Sequence, residues 1–443
     1  MHTDRSISNF RRLVQIPTVV SLNEADTDWA PFELFIDTLA QLYPLIHATL
    51  ERELVDSHSV LFRWAGSSTA QPSVLMAHYD VVPATEDGWA YPPFAATVTL
   101  SDDDPTVWGR GTLDDKAALT CILEAVEARL ADDFVPANDI YLSFGHNEET
   151  SGTGAQAIAD LLESRGVHPA LVLDEGGAVV KDVFPGVIAP VAVVGVSEKG
   201  ILNVRLTAIQ EGGHSSTPPR VTAPVRLARA ILRLNARPFP AKLSAVNVSM
   251  IRTLGLHASG AYRPIFRGIA ITRPFVARAL ARLSDETNAL TRTTAAVTML
   301  SASAAVNALA ARAEASVNIR IAVGSTVEQT LAHLRRSVRD PAVVITVDAA
   351  HEPSPVSSTS GSAWRLIGEV TRRIFPEAIL TPYVMLGATD SRHFARTSPY
   401  VYRFSPFEMS LAERRSLHAV DERIRVSVFL RGVRFYETLI AEL

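Results

Sequence analysis

The spacing of apolar residues divides the chain into two regimes. Over its first 174 residues, short apolar runs at 60–64, 72–77, 140–144 and 171–173 alternate with helical stretches such as 117–130. Ile7, Phe10 and Val14 mark one face of an opening helix, and 29–42 forms a second. Buried strands separated by helices predict a doubly wound sheet. After 191–195 the character changes, because 200–207 alternates apolar and polar, as a strand wetted on one side should. A helix at 224–235, strands at 295–299 and 315–321, a helix at 327–338 and a strand at 343–347 complete a separate α+β unit. The expected architecture is an α/β main domain on a doubly wound mixed sheet, residues 1–197 and 351–443, with an inserted α+β lid or dimerisation domain at 198–350.

The apolar runs do not end in ordinary turns. The run through Ala77 empties into His78-Tyr79-Asp80, and in strand geometry those two polar side chains point the same way. One imidazole nitrogen can then ligate a metal while Asp80 receives the other ring N–H, fixing the tautomer. The run through Phe144 empties into His146-Asn147-Glu148-Glu149, and that through Leu173 into Asp174-Glu175-Gly176-Gly177. Asp114-Asp115 opens the helix at 117–130, and His418 precedes the C-terminal helix. Taken singly, the aspartates read as a helix cap and the glutamates as a solvated turn. Taken together they converge, because ligands in open α/β sheets bind outside the carboxyl ends of the strands. Two histidines and three carboxylates suit a pair of zinc ions, with one carboxylate bridging and one position open to water.

These motifs carry a family resemblance. His78-Tyr79-Asp80, Trp89-x-x-Pro92-Pro93-Phe94, Gly109-Arg110-Gly111-x-x-Asp114-x-Lys116, Glu148-Glu149, Asp174-Glu175-Gly176 and Gly212-Gly213-His214-Ser215-Ser216 resemble the M20 metallopeptidases, and within them the carboxypeptidase S and aminoacylase-like branch. The motifs lie in order over residues 5–440. The resemblance implies that Asp114 bridges two zinc ions, that His78 and Asp174 complete one site, and that Glu149 and His418 complete the other. Cobalt or manganese could substitute. It implies Glu148 as general base with Asp80 assisting, and a cis peptide between Asp114 and Asp115. Two departures stand out: Asn147 replaces the usual Asp before the base, and Asn307-Ala308-Leu309-Ala310 lacks the family's proline.

In the lid, His214 read alone is a loop histidine, Asn307 a strand end and Arg320 a polar-face residue. The resemblance instead implies a histidine that crosses a homodimer to polarise the scissile carbonyl, and an Asn and an Arg thirteen residues apart that contact substrate, which is the spacing of Asn307 and Arg320. It also implies a Gly-x-Thr-Asp loop, here with Gly387 and Thr389, whose backbone N–H groups meet the substrate carboxylate. Residues 240–294 are least legible, with seven arginines from Arg252 to Arg292; they read as a helical elaboration with solvated faces, or as a substrate-access or dimer-contact insert.

Composition narrows the setting. A net charge of −5 argues against a nucleic-acid binder, which would show a basic face. The single cysteine, Cys121, excludes an internal disulfide framework. No run approaches membrane-spanning length, and the N-terminus lacks an apolar signal region, so the expectation is cytoplasmic. The function expected is hydrolysis of the amide bond of N-acyl amino acids or short peptides with a free C-terminal carboxylate, by Glu-assisted attack of metal-bound water. The rivals are an aminopeptidase of the M28 type, which normally lacks such a lid, and a silent homologue, against which Glu148 speaks.

Overall fold

The computed structural model describes residues 2–100 and 104–443. A ten-stranded mixed sheet forms its centre, in the order Glu51–Val55, Ser59–Trp64, Ile140–Gly145, Ser73–His78, Leu171–Asp174, Val401–Arg403, Val191–Glu198, Val179–Val180 and Glu408–Met409, with Ile379–Met385 also pairing Val191–Glu198. Ser73–His78 runs parallel to both Ile140–Gly145 and Leu171–Asp174. Their carboxyl ends therefore lie on one side, which is where His78, Glu148 and Glu175 emerge.

The helix Lys116–Ala131 shows why its amphipathic signal is weak. Twelve of its residues are buried, among them Cys121 and Glu124, because it lies between the sheet and the helices at both chain ends. Its acids are paired: Glu124 accepts from Ser6 Oγ at 2.6 Å and Asn9 Nδ2 at 2.8 Å. Among the described residues no helix is long and apolar enough to cross a membrane.

The second unit is a four-stranded antiparallel sheet, in the order Thr294–Ser301, Arg312–Ile321, Gly200–Ile209, Val343–His351. Alternation along Arg312–Ile321 buries Ala313, Ala315, Val317, Ile319 and Ile321 against the helices Ala223–Asn235 and Val327–Val338, forming a separate core. The arginine-rich stretch lies elsewhere. The stripe Val246, Met250, Leu254 of the helix Ala245–His257, with Phe266 and Val276, joins the core of the large sheet. Five of its seven arginines are exposed, Arg273 and Arg292 being half-buried.

Candidate active site

His78 closes its strand and is 1% exposed. Its Nδ1 lies 3.1 Å from the Asp80 carbonyl and 3.3 Å from Asp80 Oδ1, so Nδ1 carries the proton and Nε2 is left to face outward. Nε2 sits 3.0 Å from Asp114 Oδ1 and 3.6 Å from Glu175 Oε1. The other Asp114 oxygen, Oδ2, lies 3.0 Å from His418 Nε2, which is itself 3.2 Å from Glu149 Oε2. Two groups thus meet at Asp114: His78, Asp114, Glu175 and Asp114, Glu149, His418.

Each member is held from behind. The Asp80 carboxylate accepts the N–H groups of Glu148 (3.2 Å) and Glu149 (3.0 Å), tying the turn that carries both glutamates to the strand that carries His78. The Asn147 side chain folds the same turn, its Oδ1 accepting Gly154 N–H at 3.1 Å. Asp114 lies on the loop after Gly111, whose φ of +84° places it in the region only glycine adopts freely. Glu422, fully buried, accepts from Arg110 Nη1 at 2.7 Å and from the N–H groups of Gly111, Leu113 and Asp114 at 3.1, 2.7 and 3.2 Å. The Asp114-Asp115 peptide is cis.

Asp174, expected beside His78, is directed elsewhere. Successive residues of an extended chain face opposite ways. Asp174 Oδ2 accepts Ser391 N–H at 2.8 Å, and the next residue, Glu175, turns its carboxylate to His78. Thr389 also differs from expectation: its N–H and Oγ1 both donate to Glu198 Oε2, at 3.2 and 3.3 Å, and Arg403 Nε donates to the same oxygen at 3.0 Å. Its backbone N–H is therefore engaged within the fold. Gly387 and Thr389 both line the site cavity of ≈310 Å³, with Asp114, Glu148, Glu149, Glu175 and His418.

Crowding governs the electrostatics. Burial pushes Glu175 up to about 8, with the charge of Asp114 adding to the effect. Burial likewise holds Glu148 well above the ordinary carboxylate range. Hydrogen bonds to Asp114 and Glu149 raise His418 to about 10. For His78, burial disfavours the cation, but the carboxylates of Asp114, Asp80 and Glu175 outweigh it and the net shift is upward. Glu149 Oε1 is buried without a hydrogen-bond partner among the described residues. A buried acceptor left so costs about 1–3 kcal/mol, and a cation is what this donor set lacks. Nitrogen and carboxylate donors around a shared aspartate fit metal ions well.

The lid residues are placed separately. His214 and Asn307 come together on a short ladder in which Gly213–His214 pairs Ala308–Leu309; both are exposed, and Asn307 O accepts Ser215 N–H at 3.1 Å. Arg320 is half-buried on Arg312–Ile321; burial and the charge of Arg392 lower its pKa, against the opposing charges of Glu148 and Glu198. Sequence reasoning gave no metal role to Glu175 and no role at all to Glu422 or Glu198. For Glu175 the strand alternation past Asp174 was the available signal; for the other two there was none short of the fold.

Imidazoles and carboxylates gathered around one aspartate, at the carboxyl ends of a mixed sheet, define a metallohydrolase of the α/β kind. The chain belongs to peptidase family M20/M25/M40, whose model matches residues 74–442. Human N-fatty-acyl-amino acid synthase/hydrolase PM20D1 is 37% identical over 434 residues, covering 96% of this chain and 85% of that protein. The Dictyostelium discoideum protein named probable carboxypeptidase S-like 2 is 32% identical over 441 residues, covering 97% and 84%. Two solved structures share the fold, each with a TM-score of 0.68: the M20 family metallo-carboxypeptidase Sso-CP2 of Sulfolobus solfataricus, 17% identical with 98% of both chains covered, and human carnosine dipeptidase 1, 14% identical with 100% and 96% covered. The chain is thus a hydrolase of this family, and the M28-type reading is set aside.

Proposed function

We propose that the chain is a two-metal hydrolase cleaving the amide bond of N-acyl amino acids or short peptides that end in a free carboxylate. The observation that carries this reading is Asp114, whose two oxygens each lie 3.0 Å from a different histidine. His78, Asp114 and Glu175 would hold one ion and Asp114, Glu149 and His418 the other. Zinc suits these nitrogen and oxygen donors, with cobalt or manganese as substitutes. The chemistry supplied at such a centre is polarisation of the carbonyl and acidification of water.

Glu148 takes the proton of the attacking water on its carboxylate and passes it to the departing amide nitrogen. Asp80 holds the Glu148 backbone in place for that transfer. Arg320 and Asn307 contact the substrate, with Arg320 as the cation for its carboxylate. His214 donates to the carbonyl oxygen as negative charge develops there. The exposed position of His214 supports service to a second subunit in a homodimer. The division into a catalytic unit of 1–197 and 351–443 and a lid of 198–350 belongs to the same reading, except that Val246, Met250, Leu254, Phe266 and Val276, within the lid bounds, pack on the core of the large sheet. The names of the relatives favour acylated amino acids and carboxypeptidase substrates.

The test is a hydrolysis screen of N-acyl amino acids and dipeptides by zinc-loaded protein, with metal counted by elemental analysis. Two ions per chain and release of free amino acid are expected. Glu148→Gln should keep both ions while kcat falls about 10²–10⁴-fold. Near-normal turnover in that variant, or at most one ion at saturation, would overturn the reading.

A further inference from the structure

A cavity of ≈540 Å³, larger than the ≈310 Å³ of the reaction site and sharing no wall with it, lies where the two cores meet. Phe239 on its wall belongs to the lid core, while Leu243 and Val246 belong to that of the large sheet. Thr293 and Ala322, which adjoin the lid strands Thr294–Ser301 and Arg312–Ile321, line it too, and Ala322 N–H donates to Thr293 Oγ1 at 3.0 Å. The charge on these walls is one-sided. Lys242, Arg273, Arg292 and Arg336 line the cavity, and no aspartate or glutamate does. Among the described residues none of the four is in an ion pair. Arg273 Nη2 donates to the Leu243 carbonyl, whereas the side chains of Lys242, Arg292 and Arg336 donate to no described residue. Arg292 Nε is moreover buried without a partner, a cost that an incoming acceptor would remove. The chain around the cavity adds to the field: residues 212–284 carry twelve arginines and lysines and no acid, in a protein of net charge −5.

We propose that this cavity is a second binding site, for a phosphorylated small molecule whose phosphoryl group is held by these four cations. Guanidinium forks match phosphoryl oxygens two at a time. A phosphoryl group also brings nearly two negative charges and three acceptor oxygens, where a carboxylate brings one charge and two. Phe239, Leu243, Val246 and Val356 offer the rest of the ligand an apolar wall, and the volume suits a small organic molecule. A ligand seated there touches residues of both cores at once. Its occupancy therefore ties the lid sheet to the large sheet from a place remote from the reacting groups.

The experiment is calorimetric titration of the zinc-loaded full chain with phenyl phosphate, inorganic phosphate and benzoate. Phenyl phosphate should bind most tightly, since it alone offers both a phosphoryl group and an apolar body. Lys242→Glu/Arg336→Glu reverses two exposed charges on the cavity wall and should weaken phenyl phosphate about tenfold or more. Gln329→Trp, which fills the cavity without changing its charge, should do the same. Arg229→Glu/Arg335→Glu makes the same net change at exposed positions off the cavity and should stay within about twofold of the parent, because distant exposed charges are screened. Phenyl phosphate should raise the Tm of the parent and of this control but not of the cavity variants, whose own Tm without ligand reports folding. Absence of saturable binding to the parent would overturn the proposal, as would benzoate binding as tightly as phenyl phosphate. Equal weakening in the two double variants would reduce the site to a general basic field. Unchanged affinity in both cavity variants would place the bound phosphate at the metal centre instead. Binding is read without turnover, so the outcome is independent of the hydrolase reading.

Discussion

Asp114 and Glu175 show how much of a reactive centre is decided by the neighbouring residue. The acids of Asp174-Glu175 look interchangeable in sequence, because both follow a buried strand and both can bind metal. Pleating separates them: Asp174 braces the loop through Ser391, while Glu175 reaches His78. The expected outcome is that Glu175→Ala loses one of two ions, and Asp174→Asn keeps both with only a loss of turnover. Elemental analysis of the two variants settles it, and the reverse pattern would restore Asp174 as the ligand. His78, Asp80 and Glu148 were legible because a His-x-Asp at a strand end and a paired glutamate are local patterns. Glu198 was not, since its role depends on Arg403 and Thr389, each about 200 residues away.

The loop that carries Asp114 is shaped by an element from the other end of the chain. Glu422 gathers three backbone N–H groups and the Arg110 guanidinium around one buried carboxylate. Glu422→Ala would leave that guanidinium buried and unpaired, a change that costs about 3–5 kcal/mol. Urea unfolding should show a loss of that order, with Glu422→Gln intermediate because it keeps an acceptor. A loss below about 1 kcal/mol would mean that water takes over the role. Element by element, the lid strands were readable from strict alternation, as in Arg312–Ile321. The helix Lys116–Ala131 was readable from its length and apolar content, although burial on nearly every side removed its periodic signal. The arginine-rich helices could be recognised as helices, but the stripe Val246, Met250, Leu254 could have served either core. Only the packing assigns it to the large sheet.

At the scale of the whole molecule, the lid sheet ends in an open edge. Among the described residues Thr294–Ser301 pairs only on one side, and Met299 and Leu300 on it are 69% and 67% exposed. A long apolar edge invites pairing with another chain, and a second copy in two-fold symmetry is the simplest partner. His214 lies on the same unit and is exposed, so under the proposed homodimer it serves the partner's centre. A His214→Ala protein and a Glu148→Ala protein should then each be nearly inactive. Mixed in equal amounts and allowed to exchange subunits, half the dimers become hybrids. Each hybrid holds one centre in which Glu148 and the His214 from across the interface are both intact, so about a quarter of parental activity should return. Absence of recovery, with exchange verified by differential tagging, would mean that His214 serves its own subunit or is structural. Recovery would also explain how a residue on an exposed two-residue strand acts at a centre that lies at the carboxyl ends of the other sheet's strands.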